Sequence, residues 1–421
     1  MGGDCSVRLL VVTQYFWPET FIIQHLVKTL VEQGHRVVVL TGKPNYPDGE
    51  IFAGYTEKGV QAETYSDCVE VHRVPLRPRG KGAFNLFRNY LSFVLSGLRF
   101  FPRMVSGQDF DAILVFAPSP ITMAIPAIYL KWRRKWPLAV WIQDLWPESL
   151  SATGYIRNPW ILRMVGWMVR WIYRCSDTLL IQSKAFYEPV AHYSDASKIV
   201  YYPNSIRSSQ IDPQAADEVV LPETLSVLLE SNFCVVFAGN LGKVQAVETL
   251  VDVASRLRDL PDCKIVLVGS GSMLDWVSEQ KDRLGLSNLV LAGRFPMDMM
   301  GAIYNRAEAL LVTLRDEDIF ARTIPSKVQA YLASGKPILA AVKGEGARVV
   351  TEAGAGVAVP PEDGEALSEA IRTLYRMPEL ERAKMGASGR RYFEANFEME
   401  SQARRLVEIL MERNEQGRRQ V

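Results

Sequence analysis

The stretch IPSKVQAYLASGKPILA, residues 324–340, joins a helix start to a buried strand. Pro325 suits the first turn of a helix. Ser326 and Lys327 follow it, where free backbone N–H groups and the positive end of the helix dipole face solvent. Apolar residues then recur at helical spacing until Gly335, after which an apolar strand begins. Such a helix start favours phosphate binding, and the alternative is an ordinary helix–strand unit with a solvated lysine.

Apolar strands alternate with helical patterns on both sides of this stretch. The second half predicts strands at residues 234–238, 264–268, 289–291, 309–313, 338–341 and 357–359. The first half predicts strands at residues 7–13, 36–40, 69–74, 112–116, 138–142, 178–181 and 199–202. The alternation predicts parallel sheets with right-handed crossovers, so the fold class is α/β with two Rossmann-like doubly wound domains. The polar segment 205–229 is the predicted linker.

Composition is that of an ordinary globular protein, with 421 residues of which 48% are hydrophobic and 23% charged. This length predicts two or three domains. The five cysteines form no CxxC pair, which favours a reducing compartment. The first residues do not resemble a secretory signal, and no uninterrupted apolar run reaches the roughly 18 residues of a spanning helix. The sequence therefore predicts a cytoplasmic location.

Charge is distributed unevenly behind a net charge of +1. Residues 1–205 hold 22 basic and 16 acidic residues, whereas the remainder holds 26 and 31. Eight of the nine tryptophans also lie in the first half. A basic, Trp-rich half favours an anionic membrane surface, although a basic substrate site would give the same counts.

A glycine-rich turn, FAGNLGKVQAVETL at residues 237–250, lies between a predicted strand and a helix. Its backbone can approach an anion closely. The predicted contacts to a diphosphate are Gly239, Asn240, Gly242, Lys243 and Gln245. One turn of this kind is more often structural. The equivalent helix start at Ser326 and Lys327 in the same half favours an anion site.

Two further loops of the second half follow predicted strands. VGSGS, residues 268–272, contributes Gly269, and AGRF, residues 292–295, ends in a cation and an aromatic ring. We expect Arg294 to meet a phosphate and Phe295 to stack on a base, and the alternative is an aromatic ring that closes the core. No GxGxxG follows a first strand, so a nicotinamide dehydrogenase is not supported.

Carboxylates end two predicted strands of the first half. WIQDLWPES, residues 141–149, places Asp144 at a strand tip, and Glu19 lies in the first strand-to-helix loop. Both are predicted at a reaction centre, with Glu148 as a further candidate. The alternative for Asp144 is a residue that caps the next turn, and the alternative for Glu19 is a helix-start residue that interacts with the helix dipole. RDED, residues 315–318, is too weak a pattern for a metal, so no metal or cofactor is predicted.

Tryptophan and arginine form stripes on two apolar helical segments. In residues 159–174, three tryptophans follow the spacing i, i+7, i+11, and three arginines repeat it on an adjacent stripe. They are Trp160, Trp167 and Trp171, and Arg163, Arg170 and Arg174. Close to one face of the apolar segment 84–104, the basic residues are Lys81, Arg88, Arg99 and Arg103. Such stripes favour helices that lie in a membrane interface, and the alternative is packing on the sheet with arginine stems along the surface.

Several motifs together resemble retaining glycosyltransferases of family 4, which have the GT-B fold, and within them the WbuB-like branch associated with O-antigen and capsule sugars. The motifs occur in the family's order: QYFWPET, LTGKPNYPDG, FAPSP, QDLWPES, FAGNLGKVQ, VGSG, LAGRF and IPSKVQAYLASGKPILA. The resemblance implies two Rossmann-like domains that face a cleft. It also implies an acceptor domain at residues 1–205, a nucleotide-sugar domain at residues 206–390, and a C-terminal helix at residues 391–421 that returns to the first domain.

The sequence departs from the family pattern at several positions. Two glutamates that many members carry eight residues apart are Ala330 and Arg322 here. The usual Arg and Lys of the glycine turn are Asn240 and Gln245, and a histidine before the aspartate is Gln143. Charge compensation for a donor must then come from other cations, and those available are Lys327, Arg322, Arg294 and Lys243.

The resemblance implies transfer of a sugar, N-acetylated or deoxy, from a nucleotide diphosphate sugar to a lipid-linked saccharide in cell-surface polysaccharide assembly. The expected donor is UDP-linked, and the expected location is the inner face of the cytoplasmic membrane. Nucleic acid is not an expected partner. Two alternatives remain: a nucleotide-sugar 2-epimerase of the same architecture and a non-catalytic two-lobed binding protein, which would require export.

Overall fold

The computed structural model describes residues 6–66, 68–80, 82–152, 158–208 and 219–419. Two compact units divide the chain. The first holds the residues up to Asn204 together with those from Met399 onward, and the second holds Ser205–Glu398.

The first unit is built on an eight-stranded sheet. Its strands are β1 Arg8–Val12, β2 Arg36–Gly42, β3 Gln61–Tyr65, β4 Val69–Val74, β5 Ala112–Ala117, β6 Leu138–Ile142, β7 Thr178–Ile181 and β8 Ile199–Tyr201. The spatial order is β3-β4-β2-β1-β5-β6-β7-β8, and every pairing is parallel except that of β3 with β4. The direction of winding reverses between β1 and β5, which is where such sheets bind ligands.

Helices cover both faces of this sheet. They are α1 Ile22–Glu32, α2 Ala83–Met104, α3 Ala124–Arg134, α4 Glu148–Ala152, α5 Pro159–Cys175 and α6 Tyr187–Ala191. The strands read as continuous apolar runs because both of their faces are buried; all six residues of β5 are buried.

The second unit has a six-stranded, wholly parallel sheet. Its strands are β9 Phe233–Ala238, β10 Cys263–Val268, β11 Leu289–Gly293, β12 Ala309–Thr313, β13 Ile338–Ala341 and β14 Gly356–Val359, in the order β11-β10-β9-β12-β13-β14. Its helices are α7 Glu223–Ser231, α8 Val247–Arg256, α9 Leu274–Leu284, α10 Met300–Arg306, α11 Asp318–Ala321, α12 Ser326–Ser334, α13 Glu345–Glu352, α14 Gly364–Arg376 and α15 Glu379–Asn396. The predicted pair of doubly wound α/β domains is therefore confirmed.

The last helix, α16 Met399–Arg419, packs within the first unit. Met399, Ala403, Leu406 and Leu410 recur at helical spacing and are buried there. The hydroxyl of Tyr202 donates to the carbonyl of Gln402 at 3.0 Å, which ties this helix to the end of β8. The predicted returning helix spans residues 391–421, but residues 391–398 lie in the second unit.

Two features differ from the sequence expectations. Strand β3 is absent from the predicted strands because its residues, QAETY, are polar and alternate between half-buried and exposed on the sheet edge. The predicted linker 205–229 ends in helix α7, whose Leu225 and Leu229 are buried, while its residues 209–218 lie outside the described part of the chain.

Candidate functional site

The predicted donor contacts lie in the loops that follow four neighbouring strands of the second unit. They are Gly239, Asn240, Gly242, Lys243 and Gln245 after β9, Gly269 after β10, Arg294 and Phe295 after β11, and Arg322, Ser326 and Lys327 after β12. Parallel strands end at one edge of a sheet, so these loops gather there, and this is the edge at which such sheets bind ligands. Contact with a donor remains a prediction for all of them.

The loops after β9, β10 and β11 interlock through their backbones. The N–H of Gly239 donates to the carbonyl of Val268 at 2.8 Å, and the N–H of Gly269 donates to the carbonyl of Gly293 at 2.7 Å. Gly239 and Gly269 have φ values of +133° and +141°. A Cβ on Gly269 would lie 1.9 Å from the Gly239 carbonyl oxygen. Gly269 thus sets the position of the first glycine turn, because no larger residue allows this approach.

Lys327 packs directly against that turn. Its Nζ lies 3.7 Å from the centroid of the Phe237 ring. A Cβ on Gly239 would lie 2.6 Å from Lys327 Cε and 2.9 Å from Nζ. Burial lowers the pKa of Lys327 to about 7. Among the residues that the structure describes, no hydrogen-bond partner reaches this Nζ, so an anion over the turn would supply one.

Tyr331 holds the Lys327 helix against β9. Its side chain is fully buried, and its hydroxyl accepts from the N–H of Ala238 at 3.1 Å. Lys327 and Tyr331 are one helical turn apart and share a face of α12. One face of this helix therefore both anchors the end of β9 and places the amine beside Gly239.

Two more buried oxygens at this edge lack a partner within the described ranges, Gln245 Oε1 and Glu248 Oε2. A Cβ on Gly242 would lie 2.7 Å from Asn240 Nδ2 and 3.3 Å from Gln245 Oε1, so both amides border the turn. The other Glu248 oxygen accepts from Arg315 Nη2 at 2.6 Å. Glu248 is not among the site residues predicted from the sequence, although it is a carboxylate in the first turn of the helix that follows the glycine turn.

The remaining predicted contacts of this unit are mostly exposed. The exposed side chains are Asn240, Lys243, Arg294, Arg322 and Ser326. Phe295 is half-buried and packs against the hydrophobic core, which agrees with the alternative that its ring closes the core.

The acidic pair of the RDED segment is held by a lysine. Lys343 Nζ lies 2.5 Å from Asp316 Oδ1 and 2.9 Å from Asp318 Oδ1. Within the described ranges, no cluster of three His, Cys, Asp or Glu side chains could hold a metal ion.

Glu19 joins two loops at the carboxyl edge of the first sheet. Its Oε1 accepts from the N–H groups of Asn45 and Tyr46, both at 2.8 Å, and its Oε2 accepts from the N–H of Phe16 at 3.1 Å. Burial raises its pKa to about 7 despite these three donors. These contacts describe a carboxylate that holds loops together, and a catalytic role remains a prediction.

Asp144 follows β6 at the same edge. Its Oδ2 accepts from Ser149 Oγ at 3.1 Å and from Trp146 Nε1 at 3.2 Å. Burial raises the pKa of Asp144, and these hydrogen bonds oppose the rise. Asp144 also lines an apolar cavity between α2 and α5, whereas Glu19 does not.

The nine predicted membrane-facing side chains are all exposed: Arg88, Arg99, Arg103, Trp160, Arg163, Trp167, Arg170, Trp171 and Arg174. Trp160 and Trp167 keep 71% and 69% of their surface. The opposite face of α5 packs on the sheet through Val169, Ile172 and Tyr173. Lys81 lies outside the described residues. In the part of the chain that the structure covers, every helix is too short or too polar to cross a bilayer.

Two domain families match the chain. "Glycosyl transferase 4-like domain" matches residues 20–205, and "Glycosyl transferases group 1" matches residues 226–392. The chain is a glycosyltransferase. The matched regions fall on the two sheets and include both glycine turns and the Lys327 helix.

Known proteins resemble this glycosyltransferase at low identity. "Probable glycosyltransferase WbjE" of Pseudomonas aeruginosa is 24% identical over 287 residues, which cover 66% of this chain and 69% of that protein. "Putative colanic acid biosynthesis glycosyl transferase WcaI" of Escherichia coli (strain K12) is 22% identical over 391 residues, 91% of this chain and 93% of that protein.

A solved structure described as "Trehalose-6-phosphate from E. coli bound with UDP-2-fluoro glucose" shares the fold. The TM-score is 0.69 at 13% identity, and the match covers 96% of this chain and 99% of the other. The predicted GT-B fold of this glycosyltransferase is therefore confirmed.

Proposed function

We propose that this glycosyltransferase moves a sugar from a UDP-sugar to a lipid-linked saccharide in the assembly of a cell-surface polysaccharide, with retention of anomeric configuration. The second unit would bind the donor and the first unit the acceptor. The UDP-2-fluoro glucose in the solved relative supports the donor class. The relative WcaI is named as a putative enzyme of colanic acid biosynthesis, which supports the assembly of a cell-surface polysaccharide.

The observation that carries the donor proposal is the Lys327 amine. It is buried, it lies against Gly239, and it has no hydrogen-bond partner among the described residues. Transfer of the sugar breaks the bond between its anomeric carbon and the diphosphate, so negative charge develops on the departing diphosphate oxygen. A fixed cation and backbone N–H groups at a helix start stabilise such charge. Lys327 and the first turn of α12 supply both.

For the sugar and the acceptor, we propose a chemical class rather than a single compound. We propose an N-acetylated or deoxy sugar, as in the WbuB-like branch, and a site at the inner face of the cytoplasmic membrane. Asp144 is the proposed polar contact to the acceptor, because it reaches the cavity of the first unit. The proposed mechanism uses no metal, and Lys327 is the group that would take the charge of the leaving group.

A thermal-shift panel tests the donor. We expect UDP and UDP-sugars to raise the melting temperature, because a ligand that binds only the folded state must stabilise it. GDP and ADP should give a smaller rise at equal concentration. A rise with GDP or ADP but not UDP would overturn the UDP proposal. Conversion of the UDP-sugar to its 2-epimer in the absence of an acceptor would contradict the transferase proposal and favour the 2-epimerase.

Membrane association predicts binding to anionic vesicles. The native protein should float with phosphatidylglycerol vesicles and not with neutral ones. Neutralising Arg163, Arg170 and Arg174 to Gln should lower the partition coefficient onto these vesicles by about two orders of magnitude, since each basic residue near such a surface contributes about 1 kcal/mol.

The matched control changes three exposed arginines of the second unit, Arg283, Arg376 and Arg391, to Gln. This variant should float like the native protein. If both triple variants lose binding equally, only net charge matters, and α5 is not the membrane face. If the native protein stays at the bottom of the gradient, the membrane proposal fails.

A further inference from the structure

An apolar cavity of about 660 Å³ lies between α2 and α5 in the first unit. It is within the usual range of ligand pockets, roughly 300–1,000 Å³. Phe87 and Leu91 of α2 and Ile161 and Met164 of α5 line it, yet they keep 58%, 41%, 45% and 67% of their surface. The space is thus an open groove whose apolar walls remain in contact with water. An exposed apolar surface bordered by polar side chains is typical of a binding surface.

One end of this groove is polar. Ser119, Asp144 and Ser149 line it there, and Arg79 also lines the groove. These residues follow β5, β6 and β4, so they stand at the carboxyl edge of the sheet where such folds bind substrates. A groove that served only to hold the protein on a membrane would not need to reach this edge.

Cations flank the groove on both sides. A second pocket, of about 560 Å³, lies against the other face of α2. Its charged lining residues are Arg88 of α2, Lys58, Arg77 and Glu57. The other face of α5 lines a third, of about 380 Å³, with Arg163 and Arg170. Each helix therefore presents apolar side chains to the groove and cations beside it. This pattern complements a hydrocarbon chain with an anionic head group.

We infer that the groove between α2 and α5 holds the hydrocarbon segment next to the diphosphate of the lipid-linked acceptor, with the saccharide end toward Asp144. The inference rests on the proposed function and adds the place and chemistry of acceptor selection. The occupant is the acceptor's own chain and not a bulk phospholipid, because the groove leads to Asp144. Arg79, which lines the same groove, is the cation that we assign to the diphosphate.

Two tryptophan substitutions on α2 make a matched pair. Leu91 lines the groove, and Leu95, one turn later, is exposed outside it. The probe is farnesyl diphosphate, kept below its micelle concentration and titrated with UDP at saturation so that the donor site is occupied. We expect the native protein and Leu95→Trp to bind it alike. Leu91→Trp should bind at least about tenfold more weakly, because an indole fills space that the chain needs.

Met164→Trp fills the groove from α5 and should repeat the loss, which guards against a local defect in α2. Inorganic diphosphate should not bind at the same concentration. Equal binding by Leu91→Trp and the native protein would overturn the inference. So would displacement of the probe by an equal concentration of short-chain phosphatidylglycerol, which would make bulk lipid the occupant.

The UDP titration separates the two proposals. If UDP binds every variant but farnesyl diphosphate binds none, the groove inference alone fails. If farnesyl diphosphate binds as expected and UDP does not, the UDP-donor proposal alone fails.

Discussion

Replacing Lys327 with Met is expected to weaken UDP binding by about tenfold to a hundredfold at pH 6.5, the worth of a charge-assisted hydrogen bond to a diphosphate. Methionine keeps the apolar stem over Phe237 and removes the charge. The same change should raise the melting temperature of the free protein, because the folded state no longer buries an amine without a hydrogen-bond partner. Calorimetric titration and thermal unfolding measure the two effects.

Opposite signs for binding and stability distinguish a ligand-binding lysine from a structural one. If Lys327 had a structural role, its replacement would lower the melting temperature as well as the affinity for UDP. Lys384→Met, at an exposed position on α15, is the matched control and should change neither quantity. Unchanged UDP affinity in Lys327→Met would remove Lys327 from the donor site.

The lowered pKa of Lys327 also sets the expected pH dependence. In the free protein its pKa is about 7, against an ordinary value of 10.5. Burying the charged amine costs stability in full below pH 7, and this cost is lost as pH rises from 7 toward 10.5. A bound diphosphate favours the charged form, so a proton is taken up on binding above pH 7. UDP-sugar affinity should therefore fall from pH 7 to 8.5, by at most about tenfold per pH unit, and Lys327→Met should show no such fall.

The sequence predicted the sheet strands because most of them are apolar runs between glycine and proline signals. β9 and β13 are examples, and both faces of each are buried. β3 gave no such signal, since it pairs at an edge and keeps polar residues on both faces. The anion site was predicted in part. A helix start at Ser326 is visible in the sequence, whereas the contact of Lys327 with Gly239 depends on how α12 packs against β9.

Contacts between distant segments explain the other gaps. Glu19 is readable as a carboxylate after a strand, but its partners at Asn45 and Tyr46 come from the loop after β2. No local pattern predicts that pairing. The spacing of Trp and Arg did not predict the groove between α2 and α5 either. The groove is formed by the helix faces next to those stripes, and it exists only because the two helices lie side by side in the fold.

Gly269→Ala is expected to abolish detectable UDP binding and to lower the melting temperature of the second unit. The new Cβ would lie 1.9 Å from the Gly239 carbonyl oxygen, which is backbone and cannot rotate away. The φ of +141° adds strain for any residue with a Cβ, of about 1–3 kcal/mol. Relief requires Gly239 to move, and Gly239 carries the turn against which Lys327 packs. Affinity for UDP and the unfolding midpoint are the measurements.

Gly285→Ala separates backbone strain from displacement of the turn. Gly285 also has a positive φ, +59°, but a Cβ there would meet no atom within 4 Å. It ends helix α9, so alanine should cost about 1–2 kcal/mol of stability and leave UDP affinity unchanged. If Gly269→Ala kept native UDP affinity, the interlocked turns would not set the donor site. If Gly285→Ala lost UDP affinity as well, strain anywhere in this unit would suffice, and the contact between Gly239 and Gly269 would have no special part in binding.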